Sequence, residues 1–117
     1  MILSAHLPER DLDRLIREKG LKSFTPKTVT DPLAFKGRLA RVRERDFSFS
    51  NEEAVVGVRA IAAPIRDGKG QVVAAVGVAL PVTIFPFDNL SLLEEMVIKT
   101  AKTISHQIEG ELIEPTP

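Results

Sequence analysis

The sequence predicts an α+β fold in which helices flank a mostly antiparallel sheet. Residues 55–65 and 71–80 are rich in Val, Ile and Ala, as buried strands are. The link between them contains Asp-Gly, which strongly favours a hairpin because glycine tolerates positive φ. Segments with apolar residues at helical spacing lie before and after the strands. The resulting order, ααβββα, is typical of an α+β domain, and 117 residues suffice for one domain.

The first helix is predicted from three apolar residues near the start of the chain. Leu12, Leu15 and Ile16 recur at helical spacing among charged residues. Gly20 follows them, and glycine commonly ends helices. Residues 21–30 show no periodicity, so we expect a connecting loop there.

A second helix is predicted to end near Asp46. Thr30 or Asp31 can cap its N-terminus, and Pro32 suits its first turn. Its apolar stripe consists of Phe35, Leu39 and Val42.

Three arginines of this second helix, Arg38, Arg41 and Arg45, share one face. We expect that face to lie opposite the apolar stripe and to be exposed, as charged helix faces usually are. Contact with DNA phosphates is the alternative. A helix-turn-helix is not indicated, because the loop at residues 21–30 is too long and contains Pro26.

Three strands are predicted in the middle of the chain. Phe and Ser alternate over residues 47–50, which indicates a short strand before the polar residues 51–53. The segments 55–65 and 71–80 are expected to pair antiparallel around the Asp-Gly turn.

A long amphipathic helix is predicted after the prolines of residues 81–86 and up to Gly110. Candidate N-terminal caps are Asp88, Asn89 and Ser91. The apolar stripe consists of Leu90, Leu93, Val97, Ala101, Ile104 and Ile108. Residues 1–117 are thus predicted to form a single domain, with residues 111–117 as a frayed tail.

The charge balance and the lack of long apolar segments argue against several classes of function. The chain has 16 basic and 16 acidic side chains, so no net field attracts it to nucleic acid or an anionic membrane. Residues 1–50 carry 11 basic and 7 acidic side chains, whereas residues 51–117 carry 5 and 9. The N-terminus lacks the basic region of a signal peptide, and no uncharged run is long enough to span a membrane. We therefore expect a cytoplasmic protein that does not contact a membrane.

No pattern in the sequence indicates catalysis. The chain has no cysteine, which excludes cysteine-based zinc sites and thiol nucleophiles. His6 and His106 anchor no ligand motif, and no serine lies in a G-x-S-x-G setting. The adjacent carboxylates at residues 52–53 and 94–95 do not converge on one bond. We expect no enzyme activity, no metal and no cofactor.

The predicted hairpin has an unusual distribution of small side chains. Small residues share one face of each strand, namely Val58, Ala60, Ala62 and Pro64 on one and Ala75, Gly77 and Ala79 on the other. Close packing of a helix against the sheet would explain them. The alternative is that the missing side-chain volume makes room for a small ligand.

Several motifs, in their order along the chain, resemble one protein family. They are Leu-Pro-Glu at residues 7–9, F-T-P-K-T-V-T-D-P at 24–32, L-A-R-V-R at 39–43, Asn-Glu-Glu at 51–53 and G-V-R-A-I-A-A-P-I at 57–65. Together with the D-G-x-G hairpin and the long last helix, they resemble the effector-binding domain of IclR-type bacterial transcription regulators. The T-x-x-T-x-T-D-P loop and the G-x-R-x-I-A-A-P strand are fairly specific in combination.

The resemblance implies an effector-binding domain of the GAF- or profilin-like type, of which this chain covers the C-terminal portion, so that the domain is N-terminally incomplete. It also implies that a separate N-terminal winged helix-turn-helix, absent from this chain, binds DNA. The domain itself would bind a small metabolite, often a carboxylate, and would form dimers or tetramers.

Five positions correspond to ligand contacts in this resemblance: Ser50, Asn51, Ala60, Gly77 and Ala79. The family's acidic position falls at Ser50, its cysteine at Ala60, and two serines at Gly77 and Ala79. The chain therefore offers fewer polar partners and more space, which favours a larger, more apolar organic acid, or no effector. Arg59 is expected to point to the opposite face of the strand.

These observations support an effector-binding and oligomerisation portion of an IclR-like regulator, which binds a small organic acid and controls a separate DNA-binding domain. A purely structural oligomerisation module without an effector is the alternative. An unpaired sheet edge would favour self-association in either case.

Overall fold

The computed structural model describes residues 1–84 and 90–113. It contains α1 (Ile2–Ala5), α2 (Glu9–Lys19), α3 (Pro32–Arg45), β1 (Ser48–Asn51), β2 (Val58–Arg66), β3 (Val72–Pro81) and α4 (Leu90–Ile113). The predicted order of two helices, three strands and one helix is confirmed, with α1 as an additional helical turn. The proposed caps Asp88 and Asn89 lie outside the described residues.

The ends of α2 and α3 follow from local chemistry. Gly20 terminates α2 with a φ of 71°, a conformation that costs glycine little. Asp31 caps α3, because its Oδ2 accepts a hydrogen bond from the Ala34 N–H at 2.9 Å. At the other end of α3, Asp46 adopts the left-handed conformation. There Arg66 donates two hydrogen bonds to the Asp46 carboxylate, which lowers the pKa of that group.

The sheet is antiparallel with the strand order β1-β2-β3. The hairpin between β2 and β3 forms where Asp-Gly predicted it. Asp67 Oδ1 accepts hydrogen bonds from the N–H groups of Lys69 and Gln71, and Gly70 adopts a φ of 80°. The turn is thus closed by one side chain and one glycine.

The predicted start of the second strand, at residue 55, is wrong. β2 begins at Val58, because residues 52–57 fold into a compact corner. Glu52 Oε1 accepts the Gly57 N–H at 2.9 Å, and Gly57 has a φ of 84°. Val55 and Val56 therefore lie on an exposed loop despite their high strand propensity.

The two faces of the sheet pack against different helices. α4 covers one face, where the predicted stripe from Leu90 to Ile108 packs against Ile61, Ala63 and Ile65. α1 lies against the other face, and the second core cluster joins it to α2 and α3. That cluster consists of Ile2, Ala5, Leu12, Leu39 and Val42.

α4 ends later in the chain than predicted. The helix continues past Gly110 to Ile113, so residues 111–113 of the expected frayed tail are helical. The helical backbone continues beyond the glycine, whose cost in a helix is only about 1 kcal/mol. Residues 114–117 lie outside the described residues.

Candidate ligand-binding site

Small side chains form two rows across the sheet, on the face away from α4. Directly paired residues of an antiparallel sheet point to the same side. The first row runs from Ser50 through Ala60 to Ala79. The second row runs from Ser48 through Ala62 to Gly77. The grouping of small residues predicted on each strand is therefore confirmed, and β1 adds two serines to it.

A cavity of about 370 Å³ lies over these rows. Its lining residues are Met1, Phe24, Thr28, Val29, Phe35, Ser48, Ser50, Glu53, Ala54, Ala60 and Ala62. Most of them are apolar, and the hydroxyl groups of one threonine and two serines provide polar positions. A mainly apolar cavity with a few polar groups is typical of small-molecule sites.

The loop between α2 and α3 forms one wall of this cavity, and two threonines hold it in place. Thr25 Oγ1 donates a hydrogen bond to the carbonyl oxygen of Glu52 at 2.6 Å. Thr28 Oγ1 donates to the carbonyl oxygen of Glu53 and accepts from the N–H of Thr25 at 3.0 Å. Thr25 is buried. The Thr-x-x-Thr spacing thus connects the loop to the corner that follows β1.

Among the described residues that line the cavity, the one carboxylate is that of Glu53, and its charge is balanced by an arginine. Arg38 donates from both terminal nitrogens to this carboxylate, with an Nη2–Oε2 distance of 2.8 Å. The Asn51 N–H also donates to Oε2, at 3.1 Å. The Glu53 side chain is 12% exposed. Because its charge is balanced by a bidentate arginine, it repels an anionic ligand far less than an isolated carboxylate would.

A second glutamate at the same corner serves a structural role. Lys27 Nζ lies 2.8 Å from Glu52 Oε2. This contact and the Gly57 N–H lower the pKa of Glu52, because both favour the ionised carboxylate. Glu52 therefore stabilises the corner rather than contributing to the cavity lining.

The five sequence-predicted site residues occupy three different environments. Ser50 and Ala60 lie side by side in the cavity lining. Gly77 and Ala79 lie on the same face of the sheet, but on the exposed surface of β3. Asn51 lies on the opposite face of β1, where its Oδ1 accepts a hydrogen bond from Arg59 Nε at 2.9 Å. The orientation expected for Arg59 is thereby confirmed.

Thr28 and Glu53 line the cavity although the sequence patterns assigned them no role. Both lie within family motifs, the T-x-x-T-x-T-D-P loop and Asn-Glu-Glu, so their positions in these motifs could have indicated a role in the site. Thr28 reaches the cavity because the loop before α3 is hydrogen-bonded to Glu53, which lies 25 residues further along the chain.

Metal clusters and membrane-spanning helices are both absent from the described part of the chain. In residues 1–84 and 90–113, no three His, Asp or Glu side chains lie close enough together to hold a metal ion. None of the described helices is long and apolar enough to span a membrane.

The sequence matches a model of the C-terminal region of the bacterial transcriptional regulator IclR over residues 1–106. The chain belongs to the IclR family of bacterial transcriptional regulators. The family resemblance seen in the motifs is therefore confirmed.

Two relatives that the chain matches are regulators of transcription. The chain is 39% identical to the HTH-type transcriptional regulator BhcR of Paracoccus denitrificans, over 88% of this chain and 37% of that protein. It is 35% identical to the transcriptional repressor IclR of Escherichia coli, over 86% of this chain and 37% of that protein. The chain thus spans a little over a third of their length. Because these relatives are not enzymes, they favour the non-enzymatic prediction.

Solved structures of IclR-type regulators share the fold. The C-terminal domain of the Escherichia coli regulator KdgR matches with a TM-score of 0.82 and 29% identity, over 92% of this chain and 65% of that one. The inducer-binding domain of a double mutant of PobR from Acinetobacter, in complex with 3-hydroxybenzoic acid, also has a TM-score of 0.82, with 30% identity over 89% of this chain and 60% of that one. The predicted α+β fold of an IclR-type effector-binding domain is therefore confirmed.

Proposed function

We propose that this chain is the effector-binding and oligomerisation portion of an IclR-type transcriptional regulator that acts in the bacterial cytoplasm. It binds a small organic acid in the cavity between β1, β2 and the loop that precedes α3. DNA is bound by a separate N-terminal domain of the regulator and not by this chain.

This proposal rests on the cavity that lies over the small-residue rows. It measures about 370 Å³ because Ser50, Ala60 and Ala62 leave space above the sheet. The aromatic rings of Phe24 and Phe35 line it as well. A flat apolar body therefore fits better than a short polar acid, since the apolar surface it buries contributes about 25 cal/mol per Å².

The polar positions suit a carboxylate group. Ser48 and Ser50 bring hydroxyl groups to one side of the cavity, on β1. Glu53 is neutralised by Arg38, so an anion can approach it. The related PobR domain, which holds 3-hydroxybenzoic acid, supports an aromatic acid as the ligand class.

Regulation by such a ligand follows from differential binding. A ligand that binds one arrangement of subunits more tightly shifts the population towards that arrangement. The attached DNA-binding domains then meet their operator in a changed relative position, and the coupling is reciprocal. Self-association of this portion as a dimer or tetramer is part of the proposal.

Thermal unfolding against a panel of organic acids tests the proposal. The panel extends from two-carbon keto acids to 3-hydroxybenzoic acid and larger aromatic acids. A ligand present at 100 times its Kd adds about 2.7 kcal/mol to the free energy of unfolding. We expect aromatic acids to raise the melting temperature selectively. Circular dichroism is suitable because the chain has no Trp or Tyr.

A cavity-filling variant provides the matched comparison. Ala60→Leu adds three carbon atoms inside the cavity and is expected to abolish the ligand-induced shift. Ala34→Leu adds the same atoms on the exposed surface of α3 and is expected to retain it. If no acid shifts the wild-type melting temperature, or if Ala60→Leu shows the full shift, the effector proposal is wrong and a ligand-free assembly module is favoured.

A further inference from the structure

A second cavity, of about 380 Å³, lies along the outer edge of β1 and is separate from the small-residue rows. We call it the arginine groove. Its lining residues are Lys27, Arg38, Arg41, Val42, Arg45, Phe47, Phe49, Asn51 and Glu53. Arg41, Arg45, Phe47 and Phe49 do not line the proposed effector cavity.

The position of the arginines differs from the sequence-based expectation. They border the apolar stripe of α3 instead of lying opposite it, because 3.6 residues per turn place Val42 only about 40° around the helix from Arg38. Since Val42 is buried, the neighbouring Arg38, Arg41 and Arg45 are directed along the edge of the sheet.

The groove has an excess of positive charge. Among the described residues, its lining contains four basic side chains and one carboxylate, that of Glu53. Arg38 binds this carboxylate, and Lys27 binds Glu52 at 2.8 Å. Within the described part of the chain, Arg41 and Arg45 lie within 4.0 Å of no carboxylate. Two guanidinium groups one helical turn apart are therefore available to an anion.

The edge of β1 is not available to an added strand. Arg38 Nη2 donates to the Phe49 carbonyl oxygen at 2.8 Å, and Glu53 Oε2 accepts the Asn51 N–H. The Arg38–Glu53 pair thus already hydrogen-bonds the outward-facing Phe49 carbonyl and Asn51 N–H groups, with which an added β-strand would have to pair. This arrangement favours a small molecule over an extended peptide as the occupant.

Phe47 and Phe49 add an apolar surface beside the guanidinium groups. Both side chains are only partly buried against the core formed with α4. A ligand with a flat apolar body can contact the rings while its charged group reaches Arg41 and Arg45. Guanidinium groups bind phosphate oxygens in bidentate fashion, and such hydrogen bonds are among the stronger ones in proteins.

We propose that the arginine groove binds a small phosphate monoester with a flat apolar body, at a site distinct from the effector cavity. Arg41 and Arg45 hold the phosphate group, and Phe47 and Phe49 contact the apolar body.

Phenyl phosphate is the probe for this site, with binding measured by isothermal titration calorimetry. We expect saturable binding of one molecule per chain. The double variant Arg41→Gln/Arg45→Gln is expected to weaken binding at least tenfold, because it removes both charged donors. The matched control is Arg10→Gln/Arg17→Gln, which removes the same charge from the exposed surface of α2 and is expected to bind like the wild type.

Three further experiments test alternatives to this proposal. The alternatives are that phenyl phosphate binds in the effector cavity, that only its phosphate group is recognised, and that the arginines bind DNA. Ala60→Leu, which fills the effector cavity, is expected to leave phenyl phosphate binding unchanged. A loss of binding in Ala60→Leu would assign the probe to the effector cavity and overturn the proposal. Equal affinity for inorganic phosphate would also overturn it, because the phenylalanines would then contribute nothing. Binding of a DNA duplex that depends on Arg41 and Arg45, without binding of phenyl phosphate, would show a nucleic-acid contact instead.

Both double variants keep their helices, since glutamine has a helix propensity close to that of arginine. Unchanged melting temperatures without ligand verify this. No binding of phenyl phosphate to the wild type, or equal binding to both double variants, would overturn the proposal.

Discussion

One ion pair, between Arg38 and Glu53, connects α3, β1 and the corner that borders the effector cavity. Arg38 donates to the Glu53 carboxylate and to the Phe49 carbonyl oxygen. The two side chains are 29% and 12% exposed. Partial burial and bidentate geometry make such a pair stronger than one on the open surface.

We expect a double-mutant cycle with Arg38→Gln and Glu53→Gln to give a coupling energy of about 1–3 kcal/mol in urea unfolding. The Arg14–Asp11 pair is the control, because its closest atoms are 3.8 Å apart and its side chains are 63% and 45% exposed. Its coupling energy is expected to be about 0–0.5 kcal/mol. Similar values for the two pairs would contradict a special role for Arg38 and Glu53.

At the level of the strands, Gly77 allows β3 to lie close to β2. A Cβ atom at this position would lie 2.7 Å from the carbonyl oxygen of Ile61 and 3.1 Å from the Cβ of Ala62. The first distance is too short for carbon and a main-chain oxygen, so a side chain would force the strands apart. Gly77 therefore reflects close packing within the sheet as well as space above it.

Gly77→Ala is expected to lower the free energy of unfolding by about 1–3 kcal/mol, because the contact involves main-chain atoms that cannot move aside. Gly37→Ala is the control: Gly37 lies in α3 with no atom near its would-be Cβ, and alanine there should stabilise by about 0.5–1 kcal/mol. Urea unfolding of both variants checks this. A stabilising Gly77→Ala would show that the strands separate without cost.

At the level of the whole molecule, β3 presents an open apolar face. Every second residue from Val73 to Pro81 is exposed, and Val73 is 53% exposed. Within the described residues, β3 has a neighbouring strand on one side only. An edge strand with an apolar face tends to pair with another copy.

We expect this chain to form dimers or higher oligomers at high micromolar concentration, as measured by light scattering. Val73→Lys is expected to reduce the average mass, because it places a charge on the open face of β3. Val55→Lys makes the same exchange at a 57% exposed loop position and is expected to leave the mass unchanged. A wild-type mass that is strictly monomeric would contradict the prediction.

Most of the fold could be predicted from local patterns. The hairpin at Asp67, the cap at Asp31 and the stripe of α4 depend on residues within a few positions of each other. The start of β2 could not be predicted, because strand propensity at Val55 and Val56 competes with a corner closed by Glu52 and Gly57. The family resemblance groups Asn51 with Ser50 because Asn51 lies beside the position of the family's acidic residue. Once β1 extends to Asn51, alternation places the two side chains on opposite faces.

The sequence by itself determined the α+β order of elements and the small-residue faces of β2 and β3, and its motifs carried the resemblance to the family. The order of elements and the small-residue faces depend on periodicity and turn residues, which are local properties of the chain. The tertiary structure alone decided that Thr25 and Thr28 hold the loop that forms one wall of the cavity, that Arg38 neutralises Glu53, and that the arginines border a groove. The hydrogen bonds from Thr25 to Glu52, from Thr28 to Glu53 and from Arg38 to Glu53 join residues 15 to 27 positions apart. Strand register and helix packing, which no local pattern specifies, bring these residues together.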